Sequence, residues 1–193
     1  MPPHLILMPG LHGTGGLFAP LLDQIPREYP TRLIEYPRDR AQSYPQLLLQ
    51  IERDLQDLEQ VILIAESFSG PLALQFAARH PSRVRAVILC VTFVTAPVPR
   101  ILCWLGAPFA LIRFPLPGFL IRMFLAGTAA SKEVVRHARR EIEASKSHVI
   151  AHRVISAGSV DARPALRNCG MPILCLSGSR DRLIGRRSHR TIL

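Results

Sequence analysis

A serine between small residues is the strongest candidate for chemistry in this sequence. Ser67 lies in the segment AESFSG (residues 65–70), directly after an apolar run and directly before a helical pattern. Small residues two positions before and after a serine allow a tight strand-to-helix turn that presents the hydroxyl as a nucleophile. The alternative, in which Ser67 only caps the helix, does not require this strand-turn-helix context. The segment therefore predicts that Ser67 is the nucleophile of an acyl transfer.

A glycine-rich turn after the first apolar run could complete such a site. The segment MPGLHGTGG (residues 8–16) could offer the backbone N–H of Leu11 to a developing oxyanion, and Phe68, which follows the serine, could offer a second. A phosphate-binding loop is the competing interpretation, but the segment lacks the G-K-[ST] ending and the full G-x-G-x-x-G pattern. His12 could be a catalytic imidazole, although its place in the turn favours a structural role.

An acidic residue follows the last apolar run. In the segment SGSRDRLI (residues 177–184), Asp181 stands where the acid that orients a catalytic histidine would lie. The alternative is a solvated aspartate paired with Arg180 or Arg182. The presence of the other two segments favours the catalytic interpretation.

Alternating strands and helices would position these residues. Strands are predicted at residues 4–8, 31–36, 61–65, 86–91 and 172–176, and most of these runs are almost continuously apolar, which is typical of parallel strands covered on both faces. Helices are predicted at residues 17–25, 44–58, 71–79 and 161–167. The alternation predicts one α/β domain over residues 1–193 with a doubly wound, mostly parallel sheet.

The alternation is interrupted by an insertion at about residues 96–157. Its first half is rich in Pro, Leu and Phe, and its second half predicts a charged helix over residues 131–156 with Ser131 as the N-cap. Ligands of parallel sheets bind at the carboxyl ends of the strands, so we expect the insertion to be a lid over a binding crevice. The alternative is that the insertion is a packed helical segment that does not contact a ligand.

Composition excludes several classes of protein. The net charge is +10, but the basic residues are scattered and aromatic residues make up only 6%, so no nucleic-acid partner is expected. The longest charge-free stretch, residues 101–112, is shorter than the roughly 18 residues that a membrane span requires. Four cysteines without a C-x-x-C pair and no signal peptide indicate a cytoplasmic protein with reduced thiols. His148 and His152 have a metal-ligand spacing but lack the remaining ligands, so no metal is expected.

Taken in order, these segments resemble the α/β-hydrolase superfamily over nearly the whole chain. The resemblance implies an ester or thioester hydrolase acting on a small, apolar acyl substrate without a cofactor. Ser67 would be the nucleophile, Asp181 the acid, the N–H groups of Leu11 and Phe68 the oxyanion hole, and residues 96–157 the lid. A lipid acyltransferase of the same fold is an alternative.

The histidine that would act as general base departs from the family pattern. The family places its histidine a strand and a helix after the acid, whereas the only histidine after Asp181 is His189, in a segment that predicts a helix leading away from Ser67. We therefore expect the final strand and helix of the fold to be missing and the hydrolase to be slow or inactive, unless His189 or His12 substitutes. A non-catalytic remnant that binds an acyl ligand or a partner is the alternative.

Overall fold

A five-stranded parallel sheet forms the centre of the molecule. The computed structural model describes residues 2–97, 101, 131–178 and 192. Within them the strands are β1 (His4–Met8), β2 (Thr31–Leu33), β3 (Val61–Glu66), β4 (Val84–Cys90) and β5 (Ile173–Leu176). They lie in the order β2-β1-β3-β4-β5, and every neighbouring pair is parallel. The predicted doubly wound parallel sheet is confirmed.

Helices connect the strands and cover the sheet. In the described part of the chain they are α1 (Ala19–Leu22), α2 (Tyr44–Asp54), α3 (Gly70–Arg79), α4 (Lys132–Glu143), α5 (Ser147–Ala157) and α6 (Arg163–Arg167). At the start of α2 the Gln46 side chain accepts from the N–H of Ser43 at 2.9 Å. The side chain of Ser131 accepts from the N–H of Val134 at the start of α4, so Ser131 is the N-cap that the sequence predicts. None of these helices is long and apolar enough to cross a bilayer.

Successive residues of the strands contribute to the cores on opposite faces of the sheet. On β1, Ile6 and Met8 belong to the main core with residues of α2 and α3, whereas Leu7 packs with Phe18 and Ile64 on the other face. This alternation follows from the period of two along a strand. It explains why the central strands must be apolar at almost every position.

Several predicted elements end earlier than their apolar patterns suggest; the helix predicted at residues 17–25, for example, ends at Leu22. The strand predicted at residues 31–36 stops at Leu33, because the backbone then turns so that the N–H of Tyr36 donates to Gly13 O at 2.9 Å. Helix α2 stops at Asp54, although Leu55 and Leu58 remain buried from the turn that follows it. Their apolar spacing therefore reflects burial rather than helical backbone.

The single helix predicted over residues 131–156 is wrong, because two helices occupy this part of the insertion. Lys146 has extended backbone between α4 and α5, with its N–H bound to Arg38 O at 2.8 Å. The break brings the buried Ser145 hydroxyl against the loop after β1. At the base of the insertion, Thr95 and Asp161 form an antiparallel bridge that joins its two ends.

Strand β5 differs from the expectation of burial on both faces. It pairs with β4 alone among the described strands, and Leu174 and Leu176 are 53% and 48% exposed. Ile173, on the opposite face, packs against the main core. The helices described here thus cover one face of this strand.

Candidate active site

The strand order places a crevice between β1 and β3. The chain leaves β1 towards β2 on one side and enters β3 on the other, so this is the point at which the sheet order reverses. At such a point the loops that follow the two strands diverge and leave room for a ligand. The register pairs Met8 with Ala65 at the carboxyl ends, so the glycine-rich turn (residues 9–14) and the AESFSG segment leave the sheet side by side.

Ser67 occupies a strained turn between β3 and α3. Its φ is +46°, a left-handed conformation that costs a residue with a Cβ roughly 1–2 kcal/mol. Glu66 before it is still extended, and a short 3₁₀ turn over Ser67–Ser69 leads into α3. This is the abrupt strand-to-helix turn that the small residues of AESFSG predict.

The neighbouring strand holds this turn in place. The Thr92 hydroxyl, just after β4, donates to Ser67 O. The first residue of α3 must be small here, because a Cβ at Gly70 would lie 2.0 Å from Thr92 Oγ1. Val91, directly before Thr92, also has a positive φ of 47°. Strain is therefore concentrated at the carboxyl ends of β3 and β4, a distribution common at functional sites.

The two N–H groups predicted to form an oxyanion hole are not used by the local turns. The backbone hydrogen bonds that close the turn after β1 include Gly13 N–H to Gly10 O at 3.0 Å, and the 3₁₀ turn is closed by Gly70 N–H to Ser67 O. Neither set uses the N–H of Leu11 or Phe68. Among the hydrogen bonds between described residues, none has the N–H of Leu11 or Phe68 as its donor.

Side chains tie the glycine-rich turn to the serine segment. The Ser69 hydroxyl donates to Pro9 O and lies 2.5 Å from the Tyr36 hydroxyl. The N–H of Gly10 donates to the Glu66 carboxylate at 3.3 Å. Two consecutive residues of the turn are thus bound by the residues that flank Ser67, one on each side.

Two tyrosines fix the residue after the serine. The Phe68 ring stacks on Tyr44 with centroids 4.6 Å apart and meets Tyr36 edge-on at 6.2 Å. The Tyr44 hydroxyl also donates to Phe68 O at 3.1 Å. Burial raises the pKa of both tyrosines well above the ordinary value, so both hydroxyls stay neutral. Backbone and ring contacts together orient the peptide that carries the Phe68 N–H.

The insertion reaches the same turn from the other side. The Arg153 guanidinium on α5 donates to Leu11 O at 2.8 Å and to Pro37 O at 2.9 Å, and the Ser145 hydroxyl donates to His12 O at 2.8 Å. The Thr14 hydroxyl donates to Glu141 on α4. The described half of the insertion is therefore anchored to the glycine-rich turn.

Two titratable groups lie beside this turn. A methyl group added to Gly10 would stand 3.0 Å from Glu66 Oε1 and 3.3 Å from His12 Cε1, so both side chains pack against the same glycine. Burial raises the pKa of Glu66 to about 7, opposed by the hydrogen bond from Gly10. Burial also lowers the pKa of His12, and its Nε2 has no hydrogen-bond partner in the described part of the chain. His12 is therefore a neutral imidazole at pH 7.

The predicted acid and its histidine cannot be placed. Asp181 and His189 both lie outside the described residues, as does most of the apolar first half of the insertion. Histidines elsewhere bind structural partners: His80 at the end of α3 contacts Glu52, His137 contacts Gly16 O, and His148 contacts Asp39 O. Among the described side chains, no three His, Cys, Asp or Glu residues lie together as a metal site would require.

Sequence reasoning missed several residues of this site. Arg153 is one arginine among many on a helix, and nothing in its spacing marks it as buried. Tyr36 and Thr92 carry no motif, because their roles depend on where β2 and β4 end. Glu66 could have been found, since it stands inside the AESFSG segment and a carboxyl group at the end of a buried strand is exceptional.

Comparisons with known proteins agree with the fold described above. A family model described as alpha/beta hydrolase fold matches residues 3–192. No curated protein matches the chain by sequence. Among the solved structures that superpose on nearly all of the chain is a hydrolase from Pseudomonas aeruginosa PA01, with a TM-score of 0.82 and 18% identity over 99% of this chain and 77% of that chain. An enol-lactonase from Burkholderia xenovorans LB400 has a TM-score of 0.80 and 19% identity over 100% of this chain and 78% of that chain. An esterase from Exiguobacterium antarcticum has a TM-score of 0.83 and 18% identity over 98% of this chain and 78% of that chain.

At these identities the superpositions establish a shared fold, and the family model covers nearly all of the sequence. The sheet order, the strained Ser67 and the turn beside it agree with that assignment. The chain belongs to the alpha/beta hydrolase fold family.

Proposed function

We propose that this protein is a serine-dependent hydrolase of ester or thioester bonds in a small molecule. The observation that carries the proposal is the strained backbone of Ser67 at the junction of β3 and α3, beside a turn whose Leu11 N–H donates to no other described residue. A helix cap would not require a positive φ. Two of the solved structures with the same fold are named as an enol-lactonase and an esterase, which agrees with an ester substrate.

The reaction would proceed in two acyl transfers. Ser67 Oγ attacks the carbonyl carbon, its proton passes to a general base, and the carbonyl oxygen becomes an oxyanion that accepts from the N–H groups of Leu11 and Phe68. Collapse of this intermediate releases the alcohol or thiol, which takes up the proton. Water then attacks the acyl-serine in the same way and releases the acid.

The general base is assigned from its position in the chain. Asp181 would orient a histidine, with His189 as the histidine that follows it in the chain. The His12 imidazole packs against Gly10, as Glu66 does, and its Nε2, which has no hydrogen-bond partner among the described residues, could accept a proton. We infer that a base in either position activates Ser67 weakly.

The substrate would carry an apolar acyl chain. Leu, Phe and Pro dominate residues 96–127 of the insertion, and the second half of the insertion contacts the glycine-rich turn directly. An apolar segment attached at this point would cover a chain bound in the crevice. We infer a cytoplasmic location, in agreement with the free thiols of Cys90, Cys169 and Cys175.

Hydrolysis of p-nitrophenyl esters and of an acyl thioester tests the proposal. We expect release slower than the roughly 1–10³ s⁻¹ of most enzymes, and none above background for Ser67→Ala. Ser82→Ala, in an exposed turn at the far end of α3, is the matched control and should retain the wild-type rate. An unchanged rate in Ser67→Ala would refute the proposal.

A further inference from the structure

Arg153 is the most deeply buried charged residue in the described part of the chain. Only 2% of its surface is exposed, although it belongs to the insertion rather than to the core of the sheet. None of the ion pairs formed by described residues includes it. A buried cation without a carboxylate partner is costly unless other groups replace its water.

Backbone carbonyl groups and an aromatic ring replace that water. The guanidinium donates through Nη1 to Leu11 O and through Nη2 to Pro37 O, at 2.8 and 2.9 Å, and lies 5.6 Å from the centre of the Tyr36 ring. The two carbonyl groups belong to the loops after β1 and β2. One planar side chain therefore bridges both loops, which a single ammonium group would do less rigidly.

The glycine-rich turn is shaped to admit this side chain. Gly13 has a φ of +76°, and a Cβ at that position would lie 2.4 Å from Arg153 Nη1. Position 13 thus needs glycine for its conformation and for the space that the guanidinium fills. The second tether from the same part of the chain, Ser145 to His12 O, binds the adjacent peptide.

We propose that Arg153 is a positioning residue for the reaction: its guanidinium, inserted from α5 between the Leu11 and Pro37 carbonyl groups, holds the glycine-rich turn so that the Leu11 N–H points at the oxyanion. The inference rests on the proposed function. Arg153 acts through the turn and does not touch the substrate. The second half of the insertion is accordingly a fixed part of the catalytic site, and not only a cover.

The rate at which a fluorophosphonate labels Ser67 tests this inference. Ser67 Oγ forms a bond to phosphorus as the P–F bond breaks and fluoride leaves, and the hydroxyl proton passes to the general base. The phosphoryl oxygen of the probe needs the same N–H donors as the oxyanion. We expect Arg153→Met to lower the maximal labelling rate about 10- to 100-fold with an unchanged half-saturating probe concentration. The reason is that a displaced N–H donor stabilises the transition state less, whereas it changes the binding of the probe little. Arg153→Lys should recover part of the rate.

The experiment includes a matched control, a test of folding and a second variant. Arg79→Met removes an exposed arginine at the far end of α3 and should label at the wild-type rate. Circular dichroism and thermal unfolding establish that each variant is folded. If Arg153→Met does not fold, Arg153→Lys takes its place, because an ammonium group keeps the charge but bridges the two carbonyl groups less rigidly, and we expect it to label more slowly than wild type with an unchanged half-saturating concentration.

The possible results separate the inference from the proposed function. If wild-type Ser67 is labelled and folded Arg153→Met, or Arg153→Lys in its place, is labelled equally fast, the positioning role is refuted while the hydrolase proposal stands. If wild-type protein is not labelled at Ser67, the proposed function fails and the inference fails with it. If the Arg153 variant keeps the maximal labelling rate but needs a higher half-saturating probe concentration, the positioning role is also refuted, because Arg153 then contributes to probe binding.

Discussion

The conformation of Ser67 stores strain that a substitution can release. With a φ of +46°, any residue with a Cβ is disfavoured at this position, whereas glycine is not. We expect Ser67→Gly to have a free energy of unfolding about 1 kcal/mol higher than Ser67→Ala, measured by urea denaturation. As a control, Ser82→Gly should have a free energy of unfolding equal to or lower than that of Ser82→Ala. A lower stability of Ser67→Gly than of Ser67→Ala would contradict the strained turn.

Glu66 should make stability depend on pH in a defined direction. Burial raises its pKa from 4.5 to about 7, so between these values the folded protein holds a proton that the unfolded chain has released. The free energy of unfolding therefore falls as pH rises through this window, by on the order of 3 kcal/mol. Glu66→Gln cannot titrate, so it removes this pH-dependent fall in stability, while its amide oxygen keeps an acceptor for the Gly10 N–H.

Urea unfolding at pH 5 and pH 8 measures this effect. We expect Glu66→Gln to be close to wild type at pH 5 and more stable than wild type at pH 8. Glu28→Gln, in an exposed turn, controls for the loss of one negative charge. A stabilisation by Glu66→Gln of the same size at both pH values would show that Glu66 does not titrate in this window.

At the scale of elements, the approach of α3 to β4 depends on Gly70. A Cβ there would lie 2.0 Å from the Thr92 hydroxyl, which donates to Ser67 O. We expect Gly70→Ala to lower the free energy of unfolding by about 1–3 kcal/mol, because the helix or the Thr92 loop must move. Gly170→Ala, which has no atom within 4 Å of the added Cβ, is the matched control and should be nearly neutral. Chemical denaturation of both variants tests this, and equal stabilities would contradict the packing described.

Most elements could be predicted because their signals are local. The apolar runs of β1, β3 and β4 are set by burial, and the N-cap Ser131 is set by a hydrogen bond to a residue three positions away. The break between α4 and α5 could not be predicted, because it depends on contacts of Ser145 and Lys146 with loops far away in sequence. Helical propensity alone favours continuing the helix.

At the scale of the whole molecule, the sheet order explains why the candidate site could be predicted only in part. Ser67, Leu11 and Phe68 stand in motifs at the ends of β1 and β3, and neighbouring parallel strands bring those ends together. Arg153 reaches the same place from the insertion, through a long-range contact that no local pattern encodes. Asp181 and His189 stay predictions, since both lie outside the described residues.

A serine hydrolase requires Ser67 to react as a nucleophile, and the mass of the protein after treatment with a fluorophosphonate measures this reactivity directly. We predict an increase by one phosphonyl group, localised by peptide mass spectrometry to Ser67, absent from Ser67→Ala and retained in Ser82→Ala. An unmodified protein after prolonged treatment, or a label on another serine such as Ser69 or Ser145, would contradict the assignment of Ser67 as the nucleophile.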